Sequence, residues 1–171
     1  TKDESTTTTH QPEKYHDLTE APEAGHVYNR TTEQTTLKHW ILEEKIRIVT
    51  IFGLPGIGKT TLAREVVEQI KDSFEYVIWR NCSDTLTLQS LQTDLLQVFS
   101  QNNETIPASL LDYLRSHRCL IILDDLQELF ASQQLAGTYL PQYQDYSKFW
   151  QQITRSPHQS CWFLLSWEKP T

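Results

Sequence analysis

Two short runs in this chain carry chemistry in their residue types and spacing. Gly53-Leu-Pro-Gly-Ile-Gly-Lys59-Thr60 has the spacing GxxxxGK[ST]. Glycines at that spacing let successive main-chain N–H groups turn inward onto phosphate oxygens. A helix starting at the end of the run adds unpaired N–H groups and partial positive charge. Lys59 then reaches the β- and γ-phosphates and the Thr60 hydroxyl is placed to ligate Mg²⁺. The second run, Leu120-Ile-Ile-Leu-Asp124-Asp125, ends an apolar stretch in two acids. Asp124 is expected to hold the same cation, mostly through water, and Asp125 to orient or deprotonate an attacking water. Lys59, Asp124 and Asp125 are thus the candidate catalytic residues, and Thr60 and Asp124 the candidate metal ligands. The nucleotide is expected on Gly53, Gly56, Ile57, Gly58, Lys59, Thr60 and Thr61.

A phosphate loop works only between a strand and a helix, and the flanks supply both. Ile46 to Phe52 is a β-branched run suited to a buried strand, and Leu62, Val66 and Ile70 recur at helix spacing from Thr61 to Lys71. Further strands are expected at Phe74–Trp79, Cys119–Leu123 and Cys161–Leu165, and helices around Leu88–Val98, Ile106–Leu114, Leu126–Gln134 and Lys148–Thr154. The unbroken run Cys119–Leu123 reads as a strand buried on both faces. Thr31-Thr-Glu-Gln34 fits a capping box ahead of Leu37, Trp40 and Ile41 on one helical face. Residues 136–147, with Gly137 and Pro141, read as an irregular connection. Strands alternating with helices specify an α/β fold with a parallel sheet.

Composition narrows the class. The 171 residues suit one domain and 38% hydrophobic content can build a core. Residues 1–25 are rich in Thr, Glu and Pro and are expected to be a flexible linker, leaving 26–171 as the folded core. The chain opens on Thr1 and has no Met, as expected of a piece of a longer protein. A formal charge of −7 argues against nucleic acid as a partner. No apolar run approaches membrane-spanning length. Cys82, Cys119 and Cys161 are odd in number and far apart, which suits reduced thiols and a cytoplasmic location. The six His show no ligand spacing for zinc. The GTPase motif Asn-Lys-x-Asp is absent, which tilts the base toward adenine.

With both halves in view, the chain resembles the nucleotide-binding domain of the signal-transduction ATPases called NB-ARC or STAND, cyanobacterial members above all. The likeness runs from Val27 to Pro170. Besides the two phosphate motifs, Walker A and Walker B in that family, it rests on Val27-Tyr-Asn-Arg30, Phe74-Glu-Tyr-Val-Ile-Trp-Arg80, His117-Arg-Cys-Leu-Ile-Ile-Leu-Asp124 and Pro157 to Ser166 with Glu168-Lys-Pro170. The resemblance implies a three-layer, AAA-like P-loop NTPase fold, with the Cys161 strand as a sensor strand between the Walker A and Walker B strands. It also implies that the chain stops before the helical lid. ATP or ADP with Mg²⁺ is the implied ligand. The implied partners are the protein's own lid and repeat domains and a nucleotide-dependent homo-oligomer.

Two positions depart from the family. Asn29 replaces a Gly beside Arg30, the arginine that packs by the nucleotide. Trp167 stands where the family carries an arginine that senses the γ-phosphate, and an indole offers one N–H and no charge. Three readings follow: a nucleotide-gated switch with weak ATPase activity, a non-hydrolysing ADP/ATP-binding module, and a small-molecule kinase. A kinase needs an arginine-bearing lid, and residues 136–147 contain no arginine. Arg80 is the alternative sensor to Trp167.

Overall fold

A computed structural model describes residues 14–23, 30–53, 58–82, 87–101, 109–129 and 141–166. In chain order the elements are β1 (Tyr15–Asp17), α1 (Thr31–Lys38) with a π-helical turn (His39–Glu43), β2 (Ile48–Phe52), α2 (Lys59–Ile70), β3 (Tyr76–Asn81), α3 (Leu88–Gln101), α4 (Leu110–Ser116), β4 (Cys119–Asp124), α5 (Asp145–Arg155) and β5 (Cys161–Ser166). Short 3₁₀ turns lie at Lys71–Ser73, Leu126–Leu129 and Pro141–Tyr143.

All strand pairs are parallel, in the order β1-β3-β4-β5-β2. The Cys161 strand therefore lies between the phosphate-loop strand and the Asp124 strand, as the resemblance implied. Strand alternation splits the core into two layers. Ile78, Ile121, Leu123, Trp162 and Leu164 face α3, α4 and α5. Val77, Trp79, Leu120, Ile122, Phe163 and Leu165 face α1 and α2. The central strands β4 and β5 are buried along their whole length, which is why their sequences are apolar without alternation. Helix α5 packs Tyr146, Phe149, Trp150 and Ile153 inward at the 3.6-residue period, with Trp150 edge-on to Trp162 at 5.5 Å.

Several expectations are corrected. Tyr15–Asp17, placed in the linker by composition, is an edge strand paired with Tyr76–Ile78. Three residues are too short for an alternation signal. What anchors them is distant in sequence: Tyr15 lies against Tyr76 and Asp17 against Arg80. The capping box does not form. Thr31 is already helical, Arg30 holds the N-cap position and no side chain caps it. The helical hydroxyls of Thr35 and Thr36 instead donate back to the carbonyls of Thr31 and Thr32. The helix expected from Leu126 begins as a 3₁₀ turn over Leu126–Leu129, and its remainder lies outside the described residues. Helix α5 starts at Asp145, inside the segment read as irregular.

Candidate nucleotide site

Parallel strands put their C-terminal ends at one edge, and the chemistry-bearing residues collect there. Strand β2 ends at Phe52, and α2 begins at Lys59 after Gly58 in the left-handed region, at φ 81°. A side chain at Gly58 would meet no atom within 4 Å, so backbone conformation is what selects glycine here. Lys59 lies in the first turn of α2, nearly buried, with Nζ donating to the Gly53 carbonyl at 2.9 Å. It thus folds back toward the end of β2.

The carboxylates arrive on β4. Asp124 is buried at the strand's last position, and its Oδ1 accepts from the Thr60 hydroxyl at 3.3 Å and from the Asp125 N–H at 2.8 Å. Burial pushes its carboxyl above the ordinary range, and the neighbouring Asp125 charge pushes the same way. Asp125 turns the chain sharply, at φ 55°, a left-handed conformation that Asp tolerates better than most residues. Its Oδ2 accepts from Asn81 Nδ2 at 2.9 Å and its Oδ1 from Gln127 Nε2 at 3.2 Å. Strained backbone plus two orienting amides hold this carboxylate in one pose at the sheet edge.

Arg80, the alternative sensor, is committed to carboxylates. Its Nε donates to Asp94 of α3 at 2.5 Å and its Nη1 to Asp17 of β1 at 2.8 Å. Burial alone would lower its pKa, but these two hydrogen bonds outweigh it and raise it. Gly56, Ile57, Asn29 and Trp167 lie outside the described residues. Arg30 borders a groove of about 410 Å³ between α1, β2 and α2, whose walls include Leu37, Trp40, Phe52 and Leu62. Trp40 and Phe52 are the large apolar side chains exposed among the described residues, at 38% and 54%.

The NB-ARC domain family matches residues 30–148 of this chain. The chain belongs to the NB-ARC domain family. This NB-ARC domain is 34% identical to an uncharacterised WD repeat-containing protein of Nostoc sp. over 193 aligned residues, covering 99% of the chain and 15% of that protein. It is 36% identical to the disease resistance protein RPV1 of Vitis rotundifolia over 104 residues, covering 54% of the chain and 7% of that protein. The chain therefore spans a small part of the relatives it matches. Among solved structures, the Aeropyrum pernix ORC2 protein, determined as ADPNP and ADP complexes, aligns with a TM-score of 0.50 at 20% identity, over 88% of the chain and 43% of that protein. At that identity the likeness is one of fold.

Sequence reasoning missed Asn81 and Gln127, the amides on Asp125. Asn81 had a signal, because a polar residue ending a buried strand must find partners, and β3 places it level with Asp124. Gln127 had none. Among the described residues no helix is long and apolar enough to cross a membrane.

Proposed function

We propose that this NB-ARC domain is an ATP/ADP-binding switch, with Mg²⁺-dependent binding and slow hydrolysis that gates assembly or signalling in the longer protein. The observation that carries the reading is the convergence of Lys59, Thr60 and Asp124 at one sheet edge, with Thr60 and Asp124 in direct contact at 3.3 Å. A hydroxyl and a carboxylate form a hard oxygen pair suited to Mg²⁺. Among the described residues there is no group of three or more His, Cys, Asp or Glu that could hold a metal. With two protein ligands, phosphate oxygens and water would complete the cation's shell. The cation supplies charge neutralisation at the phosphates when bound.

Each side chain then has a role. Lys59 exchanges its loop carbonyl for β- and γ-phosphate oxygens. Asp124 would hold the cation together with Thr60, and positive charge there would offset the burial that disfavours its ionised form. Asp125, aimed by Asn81 and Gln127, orients the water. The groove beside Arg30 offers apolar walls in Leu37, Trp40 and Phe52 for a purine to pack on.

A second reading, a non-hydrolysing ADP/ATP module, rests on Trp167. Two experiments separate the possibilities. Titration with Mg-ADP, Mg-ATP and Mg-GDP should give adenine nucleotides binding at least about tenfold tighter than the guanine one. Phosphate release should be followed in a protein that includes the lid. Turnover in the parent supports the switch, whereas a parent without turnover, with or without gain in Trp167→Arg, supports the binding module.

A further inference from the structure

The last two residues of β3 are gripped from the sheet's edge by the N-terminal segment and reach the site on the other side. Arg80 binds Asp17 and Asp94, and Glu20 Oε2 lies 3.5 Å from its Nε. The other Glu20 oxygen, Oε1, accepts the main-chain N–H of Asn81 at 3.2 Å. Asn81 in turn donates its side-chain amide to Asp125 at 2.9 Å. Glu20 therefore touches two consecutive residues of β3, one oxygen on each. The second of those residues aims the carboxylate assigned to the attacking water.

We propose that Glu20, backed by Asp17, is a positioning residue for Asp125 and acts through the main chain of Asn81. The inference rests on the water-orienting reading of Asp125. Among the described residues Glu20 contacts Arg80 and Asn81 rather than Lys59, Thr60 or Asp124. It fixes the Cα of Asn81, and so the origin from which the amide reaches Asp125. An anionic acceptor on a main-chain N–H is the stronger kind of hydrogen bond, which suits it to the task. Asp17 secures the segment. Burial acts to raise its carboxyl, but hydrogen bonds from Thr19 and Arg80 outweigh it and hold the group below its ordinary value. The segment is fastened to the sheet by three residue pairs of an edge strand, Tyr15, His16 and Asp17 against Tyr76, Val77 and Ile78. Such an edge opens more readily than the central strands. A displacement of the N-terminal segment is thereby transmitted to Asp125 while the core stays packed.

Glu20→Ala removes both contacts, and Glu20→Gln keeps an oxygen acceptor. The Glu20 side chain is 40% exposed, so neither change opens the core. The 171-residue chain is to be compared with both variants by calorimetry with Mg-ADP and by the ¹⁵N side-chain amide signal of Asn81. Single-turnover cleavage of Mg-ATP, in the longer protein that includes the lid, completes the comparison. Mg-ADP affinity should stay within about twofold of the parent in all three proteins, because no phosphate contact changes. The Asn81 amide signal should move in Glu20→Ala and return in Glu20→Gln, and cleavage should slow by about five- to tenfold in the alanine variant alone. An unmoved Asn81 amide signal in Glu20→Ala overturns the proposal, whatever the cleavage rate. Failure of the nucleotide reading would look different: the parent itself would not bind Mg-ADP, while the amide comparison would still report on the contact.

Discussion

Thr60 in the first turn of α2 donates its hydroxyl to Oδ1 of Asp124 at the end of β4, 3.3 Å away and 64 residues on. That contact ties the phosphate loop to the acid strand across the intervening β5. It also leaves a buried carboxylate that is energetically costly until something positive arrives.

Asp124→Asn should therefore separate stability from binding. A carboxyl whose folded pKa is raised contributes stability below its unfolded value of 3.8, and that contribution is lost as pH rises through the folded value. At neutral pH the charge is a burden on the nucleotide-free fold, so the amide should raise the melting temperature without ligand. The same change should abolish the Mg²⁺-dependent part of nucleotide affinity. Thermal melts with and without Mg-ADP check both halves. A variant that melts lower without ligand and still responds to Mg²⁺ contradicts the assignment.

Arg80→Ala should cost stability and leave nucleotide choice alone. It strands the carboxylates of Asp17 and Asp94 on a nearly buried arginine site, a loss of about 2–3 kcal/mol. Urea unfolding measures the loss. The ATP-to-ADP affinity ratio should not move, because the guanidinium is occupied by protein carboxylates. A changed ratio would make Arg80 a phosphate sensor after all.

His158 sets an expectation for mild acid. Burial, aided by the charges of Arg47 and Arg115, holds its pKa below the ordinary 6.5 despite opposing hydrogen bonds. A depressed folded value means that stability is full above pH 6.5 and falls as pH drops toward the folded pKa. The melting temperature should decline as pH falls below 6.5, and His158→Gln should flatten that decline.

Gly58→Ala tests the loop conformation without a clash. The space is open, so the cost is the left-handed backbone alone, about 1–2 kcal/mol. Because α2 starts at the next residue, nucleotide affinity should fall along with stability. A neutral substitution would mean that the φ of 81° is not needed for function.

How far the sequence could be read follows from where each signal resides. The Asp124 strand and the α2 face are local patterns, and each formed within a few residues of its expected place. The strand order came through family likeness, since no local pattern says that β5 slips between β2 and β4. Edge strand β1 was hidden because three residues carry no period and its anchors, Tyr76 and Arg80, are about sixty positions away. The false capping box shows the opposite failure. The Thr31–Gln34 spacing was right, yet the helix began one residue too early for Thr31 to stand outside it. The amides on Asp125 depend on a turn at φ 55° that no residue type announces.

The central claim is that Lys59 serves a bound phosphate. Its Nζ lies on the Gly53 carbonyl just past the end of β2, so Lys59→Ala should leave the fold intact. Calorimetric titration of the parent and Lys59→Ala with Mg-ATP tests it most directly. The account predicts a folded variant whose affinity falls by at least about tenfold, the loss expected for a charge-assisted phosphate contact. Equal affinity in the two proteins would contradict it.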